Sequence, residues 1–356
     1  MSKFLKKSLA LIPRTGHWVN YRKNYLTMER NERVDEFSKT IIKDLKKNIH
    51  SFDLRTYPDD INHIYDNLSK WLRVKRDQLI ITDGADGGLL RVFSVFADKN
   101  DKIFYLNPSY AMYPVYCEIF KCNGFKFNIY PGENKKKVLR KILQSIKKIK
   151  PKIIALANPN QPIEIFFNKQ ELMQILRFAK KSKSLVVIDE AYYHFSNFSA
   201  ITLIKKFDNL IVVRTFSKAF GLAGLRIGYS ISNKKIIDSM KIIKPIYEIN
   251  NINIKICNYF LKNINIMKKY VKDVSISRKY FHKQMKKIKI PSYGSFSNTV
   301  LIKFESENAM KKIFKNLYKK KVIVKPSIFY NKFYLRCTLG SLKPTKILIR
   351  LIKEYM

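Results

Sequence analysis

The chain has 356 residues and a hydrophobic content of 46%, which suits one large domain and one smaller domain. It carries 70 Lys and Arg against 27 Asp and Glu, so its formal net charge is +43. Uninterrupted apolar runs are too short to span a bilayer, and the four cysteines lack CxxC spacing. These features argue against a membrane protein, a disulfide framework and a metal site, and they favour a cytoplasmic location.

The basic excess is spread along the whole chain, with only short clusters such as 135–137 and 319–321. A concentrated basic patch would indicate a nucleic acid or an anionic membrane surface. Because the sequence is also rich in Ile, Asn, Tyr and Phe, we attribute the charge to a general compositional bias. We expect no nucleic-acid partner and no membrane partner, although the positive field would attract small phosphorylated substrates.

From about residue 79, short apolar runs alternate with segments of helical spacing. The runs at 79–82, 102–106, 125–130, 152–156, 185–189 and 210–214 are typical of buried strands. Segments such as 138–149 and 170–179 have helical periodicity. Strands separated by crossover helices predict an α/β fold with a mainly parallel sheet covered on both faces. Ligands of such sheets bind in loops beyond the carboxyl ends of the strands.

The pattern changes after about residue 233. Residues 233–288 are largely helical and rich in lysine. The remaining elements are predicted as strands near 299–304, 322–324 and 333–337 and helices near 307–320 and 344–354. We therefore predict a large domain over 46–250 and a smaller α+β domain formed by both ends of the chain, 1–45 and 251–356.

One segment, 214–229, carries the clearest chemistry. It reads Arg-Thr-Phe-Ser-Lys-Ala-Phe-Gly-Leu-Ala-Gly-Leu-Arg-Ile-Gly-Tyr. Lys218 would supply an amine to an aldehyde cofactor. Thr215, Ser217 and Arg226 would supply hydroxyls and a guanidinium to its phosphate. The alternative is a surface lysine before a glycine-rich turn.

This segment resembles the cofactor-lysine motif of the class I/II aminotransferases, which use pyridoxal phosphate (PLP). Within that family it is most similar to the histidinol-phosphate aminotransferase branch. The resemblance implies the PLP-transferase fold of type I, with a seven-stranded-type sheet flanked by helices and a smaller domain. It also implies that Lys218 is the catalytic residue.

Further motifs follow in the order that the family shows. Gly84, Ala85 and Asp86 resemble the turn that holds the PLP phosphate, at the start of a predicted helix. Tyr110 resembles the tyrosine that stacks on the pyridine ring. In the loop 157–164, Gln161 stands where the family has the asparagine that binds the phenolic oxygen.

Two features of that loop leave alternatives open. Asn160 is the other candidate for the bond to the phenolic oxygen. Glu164 places a carboxylate where the family has no side chain.

Asp189 follows a predicted buried strand, where an acid is costly unless it meets a positive partner. By resemblance, that partner is the protonated pyridine nitrogen, and Tyr192 is the tyrosine that bonds the phenolic oxygen. An ion pair of this kind keeps the ring able to accept electrons from a substrate carbanion.

The resemblance also implies a substrate side. Arg336 matches the arginine that clamps an anionic group of the substrate, and a lysine cannot copy its bidentate geometry. Lys325 stands where the branch has arginine. Asn31 matches the start of the substrate loop, and Arg33 is an added charge there. Tyr57 resembles the tyrosine that reaches the phosphate in the neighbouring subunit, which implies a homodimer.

We therefore expect an aminotransferase that moves an amino group between a small phosphorylated or carboxylated amine or amino acid and a keto acceptor. Glutamate is the expected amino donor. The main alternative keeps PLP but decarboxylates a phosphorylated amino acid of the phosphoserine or phosphothreonine type. A third hypothesis is a basic regulator that retains the fold and binds nucleic acid.

Overall fold

The computed structural model describes residues 22–58, 61–196 and 198–356. The strands are β1 (Leu26–Thr27), β2 (Leu79–Thr82), β3 (Lys102–Asn107), β4 (Asn123–Asn128), β5 (Ile153–Ala157), β6 (Leu185–Asp189), β7 (Leu210–Thr215), β8 (Gly228–Ile231), β9 (Ser292–Tyr293), β10 (Thr299–Phe304), β11 (Val322–Ile323), β12 (Lys325–Phe329) and β13 (Lys332–Thr338). The α-helices are α1 (Lys39–Lys47), α2 (Ser51–Arg55), α3 (Ile61–Leu72), α4 (Gly84–Phe96), α5 (Met112–Ile119), α6 (Lys135–Ile149), α7 (Lys169–Lys181), α8 (Lys234–Lys241), α9 (Asn251–Lys262), α10 (Asn265–Lys287), α11 (Glu307–Lys319) and α12 (Leu342–Tyr355).

A seven-stranded sheet with the order β2-β8-β7-β6-β5-β3-β4 forms the large domain. The pairs from β4 through β7 are parallel, whereas β8 runs antiparallel to both β7 and β2. Every residue of β5 and of β7 is buried, because helices cover both faces. Neighbouring residues of one strand enter different cores: Leu156 packs on one face and Ala155 on the other. The predicted fold class is confirmed.

Three parallel strands end side by side and place polar residues at one edge of this sheet. Ala157 at the end of β5 pairs with Asp189 at the end of β6. Thr215 ends β7 and lies opposite Gly228, the first residue of the antiparallel β8. The loops that leave these ends contain the residues on which the sequence analysis concentrates.

A four-stranded antiparallel sheet with the order β12-β13-β10-β9 forms the centre of the smaller domain. The amino-terminal segment joins this domain, since β1 pairs in parallel with β11. Met28 is fully buried in the same core as Leu335 and Leu348. Both ends of the described chain therefore contribute to the small domain.

The predicted domain boundary between residues 250 and 251 stays a proposal. The packing of side chains into one core or the other suggests where the boundary lies. Cys257 and Phe260 of α9 pack in the core of the large sheet. Tyr270 of α10 belongs to that core as well, whereas Phe281, later in α10, belongs to the small-domain core. We place the change of core within α10. Residues 1–21 of the predicted small domain lie outside the described residues.

Among the residues that the structure describes, each helix is too short or too polar to cross a membrane.

Candidate functional site

A pocket of about 320 Å³ lies at the carboxyl ends of the parallel strands, where the large sheet faces the small domain. Lys218, Asp189, Tyr110 and Arg336 line it, together with most of the other residues that the sequence pointed to. A larger cleft of about 820 Å³ lies behind the 163–166 loop and contains none of the 214–229 segment. The chemistry of the smaller pocket makes it the candidate site.

Lys218 lies in the turn after β7, with its amine inside the pocket. Its Nζ donates a hydrogen bond to the backbone oxygen of Arg30 at 3.4 Å. Burial lowers the pKa of Lys218 to about 8, with Arg336 and Arg226 also lowering it, while Glu32 and Asp189 oppose the shift. A lysine with this pKa supplies a free, nucleophilic amine close to neutral pH.

Asp189 ends β6 and is only 5% exposed. Its Oδ1 accepts the backbone N–H of Ala191 at 2.9 Å. Burial raises the pKa of Asp189 to about 6, although the Ala191 N–H and the charge of Lys218 lower it. The ionised carboxylate is therefore incompletely compensated, and a cationic ring nitrogen beside it would restore the balance.

Aromatic side chains and a turn form two further walls. Tyr110 packs edge-on against Tyr113, with ring centroids 5.7 Å apart. The hydroxyl of Tyr192 accepts a hydrogen bond from Asn31 Nδ2 at 2.6 Å. Asn31 adopts a left-handed conformation, with φ of 59°, and its backbone N–H donates to Thr338 Oγ1 at 3.0 Å. Its Oδ1 is buried without a hydrogen-bond partner among the described residues.

The residues predicted to hold a phosphate converge at the start of α4. This helix begins at Gly84, where φ is 68°, and Ala85 and Asp86 of its first turn line the pocket. The N–H groups of a first helical turn have no partner within the helix and suit an anion. Arg226 Nη1 donates to Ser217 Oγ at 3.3 Å. The Ser217 backbone N–H donates to Thr215 Oγ1 at 3.0 Å. Hydroxyls, a guanidinium and backbone amides thus surround one position, as an anion with several oxygens requires.

Glycine at 228 lets β8 lie against the start of α4. A Cβ at this position would come within 2.5 Å of the Gly84 carbonyl carbon and 2.8 Å of the Ala85 nitrogen. Both atoms are backbone, so a larger residue would push the first turn of α4 away. The anion-binding turn is therefore fixed by close backbone packing.

Arg336 reaches the pocket from β13 of the small domain. Its Nη2 donates to the backbone oxygen of Glu29 at 2.9 Å, while its Nε is buried without a partner within the described part of the chain. Burial lowers the pKa of this guanidinium. A buried cation with an unused donor suits an anionic group of a substrate.

Lys325 pairs with Arg336 across β12 and β13, but its side chain is exposed and does not line the pocket. Desolvation, Arg336 and Arg30 lower its pKa, which shows that the three cations lie near one another. Lys325 is thus the cross-strand neighbour of Arg336 on the edge strand β12, outside the pocket lining.

The structure does not bring Arg33 to the pocket, contrary to the expectation from sequence. Its guanidinium lies over the rings of Phe37 and Tyr270, at 4.5 and 4.1 Å from their centroids. Arg30 lines the pocket instead. The left-handed turn at Asn31 directs the two arginines apart, and the local sequence carries no signal for that turn beyond the asparagine itself.

Neither amide of the 158–164 loop is free to bind a ring oxygen. Asn160 is fully buried outside the pocket lining and donates to the backbone oxygens of Pro108 and Ile163, at 3.0 and 2.7 Å. Gln161 lines the pocket, but its amide donates to Ser297 Oγ at 2.7 Å. Sequence analysis missed this contact because the partner lies 136 positions away.

Tyr57 lies away from the pocket of its own chain. Its side chain is 71% exposed and stacks on Tyr247, with ring centroids 4.1 Å apart. This arrangement leaves its hydroxyl available to a neighbouring molecule.

The profile of the family described as aminotransferase class I and II matches residues 23–352. The histidinol-phosphate aminotransferase of Clostridium novyi is 31% identical over 92% of this chain and 91% of its own length. That of Caldanaerobacter subterraneus is 29% identical over 92% of both chains.

Solved structures share the fold. A histidinol-phosphate aminotransferase from Sinorhizobium meliloti, in complex with pyridoxal-5'-phosphate, has a TM-score of 0.85 at 18% identity, covering 100% of this chain and 98% of its own. An L-threonine-O-3-phosphate decarboxylase from Porphyromonas gingivalis has a TM-score of 0.77 at 18% identity, covering 93% and 99%. Because the family profile spans nearly the whole chain, this protein belongs to the aminotransferase class I and II family and is a PLP-dependent aminotransferase.

Proposed function

We propose that the pocket binds PLP through Lys218 and transfers an amino group from a small phosphorylated or carboxylated amine to a keto acceptor. The observation that carries this proposal is that Lys218 and the buried Asp189 line one pocket together with Tyr110 and Arg226. Bound PLP supplies an electron sink for a carbanion at the substrate carbon that bears the amine. The chain supplies the groups that hold it and that move protons.

The pocket residues fit the cofactor at each of its polar positions. Thr215, Ser217, Arg226 and the first turn of α4, with Gly84, Ala85 and Asp86, would hold the phosphate. Asp189 would hold the proton on the ring nitrogen. Tyr110 would stack on the ring, and Tyr192 would bond the phenolic oxygen.

Lys218 would also act on the substrate. Once its amine is free, Nζ would take a proton from the substrate carbon that carries the amino group, because a pKa of about 8 leaves a substantial fraction of the amine neutral near that pH. The same Nζ would hold that proton within the pocket and give it up again later in the reaction. Its hydrogen bond to the Arg30 backbone oxygen helps to hold Nζ in the pocket.

The cations at the mouth of the pocket favour an anionic substrate. Arg336 and Arg30 line the pocket, and Lys325 is the cross-strand neighbour of Arg336. Asn31 adds an amide from the amino-terminal loop. Several relatives are histidinol-phosphate aminotransferases, so histidinol phosphate is the first substrate to test. The assay runs in the reverse direction, with 2-oxoglutarate as acceptor and glutamate, the expected amino donor of the forward reaction, as the product.

The deciding experiment measures the visible spectrum and the products together. The purified protein should gain an absorption band above 400 nm with PLP, and should form glutamate from histidinol phosphate and 2-oxoglutarate. Lys218→Ala should lose both, while Arg33→Lys, a change of a cation outside the pocket, should keep both. Carbon dioxide from phosphoserine or phosphothreonine, with no glutamate formed, would identify a decarboxylase instead.

We also propose that the protein is a homodimer in the cytoplasm. Leu54, Tyr57, Ile242 and Ile246 are 72%, 71%, 80% and 83% exposed, which is costly for apolar side chains unless a partner covers them. The stack of Tyr57 on Tyr247 joins the two segments into one surface. All four cysteines are unpaired, which agrees with a reducing compartment.

A further inference from the structure

The loop after β5 is joined to the segment before β10 by one glutamine. Gln161 Nε2 donates to Ser297 Oγ at 2.7 Å, and Thr299 Oγ1 donates to Gln161 Oε1 at 2.6 Å. All three side chains are buried. Both ends of the amide are therefore used in a contact between the large domain and the small domain.

Glu164, on the same loop, makes a second contact with that segment. Its carboxylate accepts the backbone N–H of Phe296 at 2.8 Å and also that of Ser295. Arg278 lies near it and donates to the backbone oxygen of Ser297. Burial raises the pKa of Glu164, whereas these N–H groups and Arg278 lower it. The carboxylate is thus held by the turn that it faces.

Gln161 and Glu164 both contact the segment 295–299, and this segment in turn is connected to two residues that line the pocket, Asn31 and Arg336. Asn298 Nδ2 donates to the backbone oxygen of Asn31 at 3.2 Å. Thr299 pairs with Thr338, and two residues further along β10 Leu301 pairs with Arg336. A displacement of this segment would therefore move Asn31 and Arg336 relative to Lys218.

We propose that Gln161 and Glu164 are positioning residues that latch the small domain onto the loop after β5 and so set the place of Arg336 over the pocket. In this assignment Gln161 does not contact the cofactor. The proposal rests on the proposed function of the pocket. It accounts for the glutamine and the glutamate in a loop that otherwise resembles the family.

Two single variants and their combination test the latch. Gln161→Met and Thr299→Val each remove one side of a hydrogen bond while keeping the size of the side chain. We expect each to raise KM for the phosphorylated donor roughly 3- to 10-fold, as the loss of one or two buried hydrogen bonds implies. The double variant should be little worse than Gln161→Met alone, since Gln161→Met already removes the one bond to Gln161 that Thr299→Val removes.

A spectroscopic measurement separates this role from cofactor binding. The pH at which the visible band of the holoenzyme shifts should be the same in Gln161→Met and in the unaltered protein. A shift of that midpoint by about one pH unit in Gln161→Met would overturn the proposal, because it would place the amide on the cofactor.

Glu164→Gln tests the second contact, with Glu171→Gln as its control. Glu171 is also a partly buried carboxylate that accepts a backbone N–H, at the start of α7, but it does not reach the small domain. We expect Glu164→Gln to raise KM by a similar factor and Glu171→Gln to leave KM unchanged. Equal KM values in the two variants would overturn the role of Glu164.

Urea unfolding of the same proteins without substrate distinguishes the latch from the proposed function. Non-additive losses of stability in Gln161→Met and Thr299→Val support the contact even if no visible band forms with PLP. Additive losses, together with additive effects on KM, would overturn the latch while leaving the proposed function in place.

Discussion

Burial acts in opposite directions on two residues of the same pocket. It lowers the pKa of Lys218 to about 8 and raises that of Asp189 to about 6, because in both cases it disfavours the charged form. The sequence identified both residues, but not the size of the effects, which depend on the depth of the pocket and on Arg336 from a distant strand.

The pKa of Lys218 predicts how the apoenzyme takes up PLP. The rate of uptake should rise with pH through about 8 and level off above it, because the neutral amine is the nucleophile. Arg336→Met should move this midpoint to higher pH, since a nearby positive charge that lowers the pKa is removed. Stopped-flow absorbance at the visible band measures the rate. A midpoint that moves to lower pH in the variant would contradict the assigned electrostatics.

The raised pKa of Asp189 predicts that the stability of the apoenzyme depends on pH. Its folded-state pKa lies above the ordinary carboxyl value of 3.8, so its contribution to stability is present below about pH 4 and is lost as the pH rises through about 6. Asp189→Asn should therefore raise the free energy of unfolding of the apoenzyme at pH 7 by roughly 1–3 kcal/mol, with little change at pH 4. Urea unfolding at the two pH values measures this.

The same substitution should weaken PLP binding, because an amide cannot balance a protonated ring nitrogen. Tighter PLP binding by Asp189→Asn would count against the assignment of Asp189 to that nitrogen.

Individual strands differ in how well the sequence predicted them. The bounds of β2, β6 and β10 agree with the apolar runs, because strands buried on both faces are nearly continuous in apolar residues. The sequence did not predict β8 or β12. The first of these begins at a glycine, and the second is an edge strand that contains a proline. β8 and β12 are strands because neighbouring strands pair with them, not because of their own composition.

Strand β8 gives a prediction at Gly228. A methyl group there would lie 2.4 Å from the Arg214 backbone oxygen and would also meet the start of α4. Gly228→Ala should therefore destabilise the protein by roughly 1–3 kcal/mol and weaken PLP binding. Gly224→Ala is the control, since a Cβ there meets nothing within 4 Å. Thermal unfolding and a PLP titration measure the two effects, and equal behaviour of the variants would contradict the role given to Gly228.

At the scale of the whole molecule, the sequence predicted the mainly parallel α/β fold better than the details of the pocket. The α/β pattern and the ordered motifs fixed which loops would meet. The sequence misplaced Arg33 and missed both Arg30 and the hydrogen bonds of Gln161. Side-chain direction here depends on the turn at Asn31 and on Ser297 and Thr299 of the other domain. These contacts join residues far apart in the chain, and no local pattern records them.

The exposed apolar surface around Tyr57 predicts dimerisation. Ile246→Glu should shift the protein toward monomers and lower its activity, because it places a charge on the surface that the partner would cover. Ile276→Glu, on α10, changes a residue that is 44% exposed outside that surface and should alter neither property. Sedimentation velocity and the transamination rate measure the outcome. A monomeric, fully active parent protein would refute the homodimer.

The Asn31 N–H bonds to Thr338 Oγ1, 307 positions along the chain. During synthesis, the amino-terminal loop emerges from the ribosome early, but its partner Thr338 emerges only when β13 has been made. The large sheet, complete by residue 231, has all its strands much sooner. We therefore expect a nascent chain to complete the large-domain residues that hold PLP before it completes those that bind the substrate. PLP should then bind while the rest of the protein is still being synthesised.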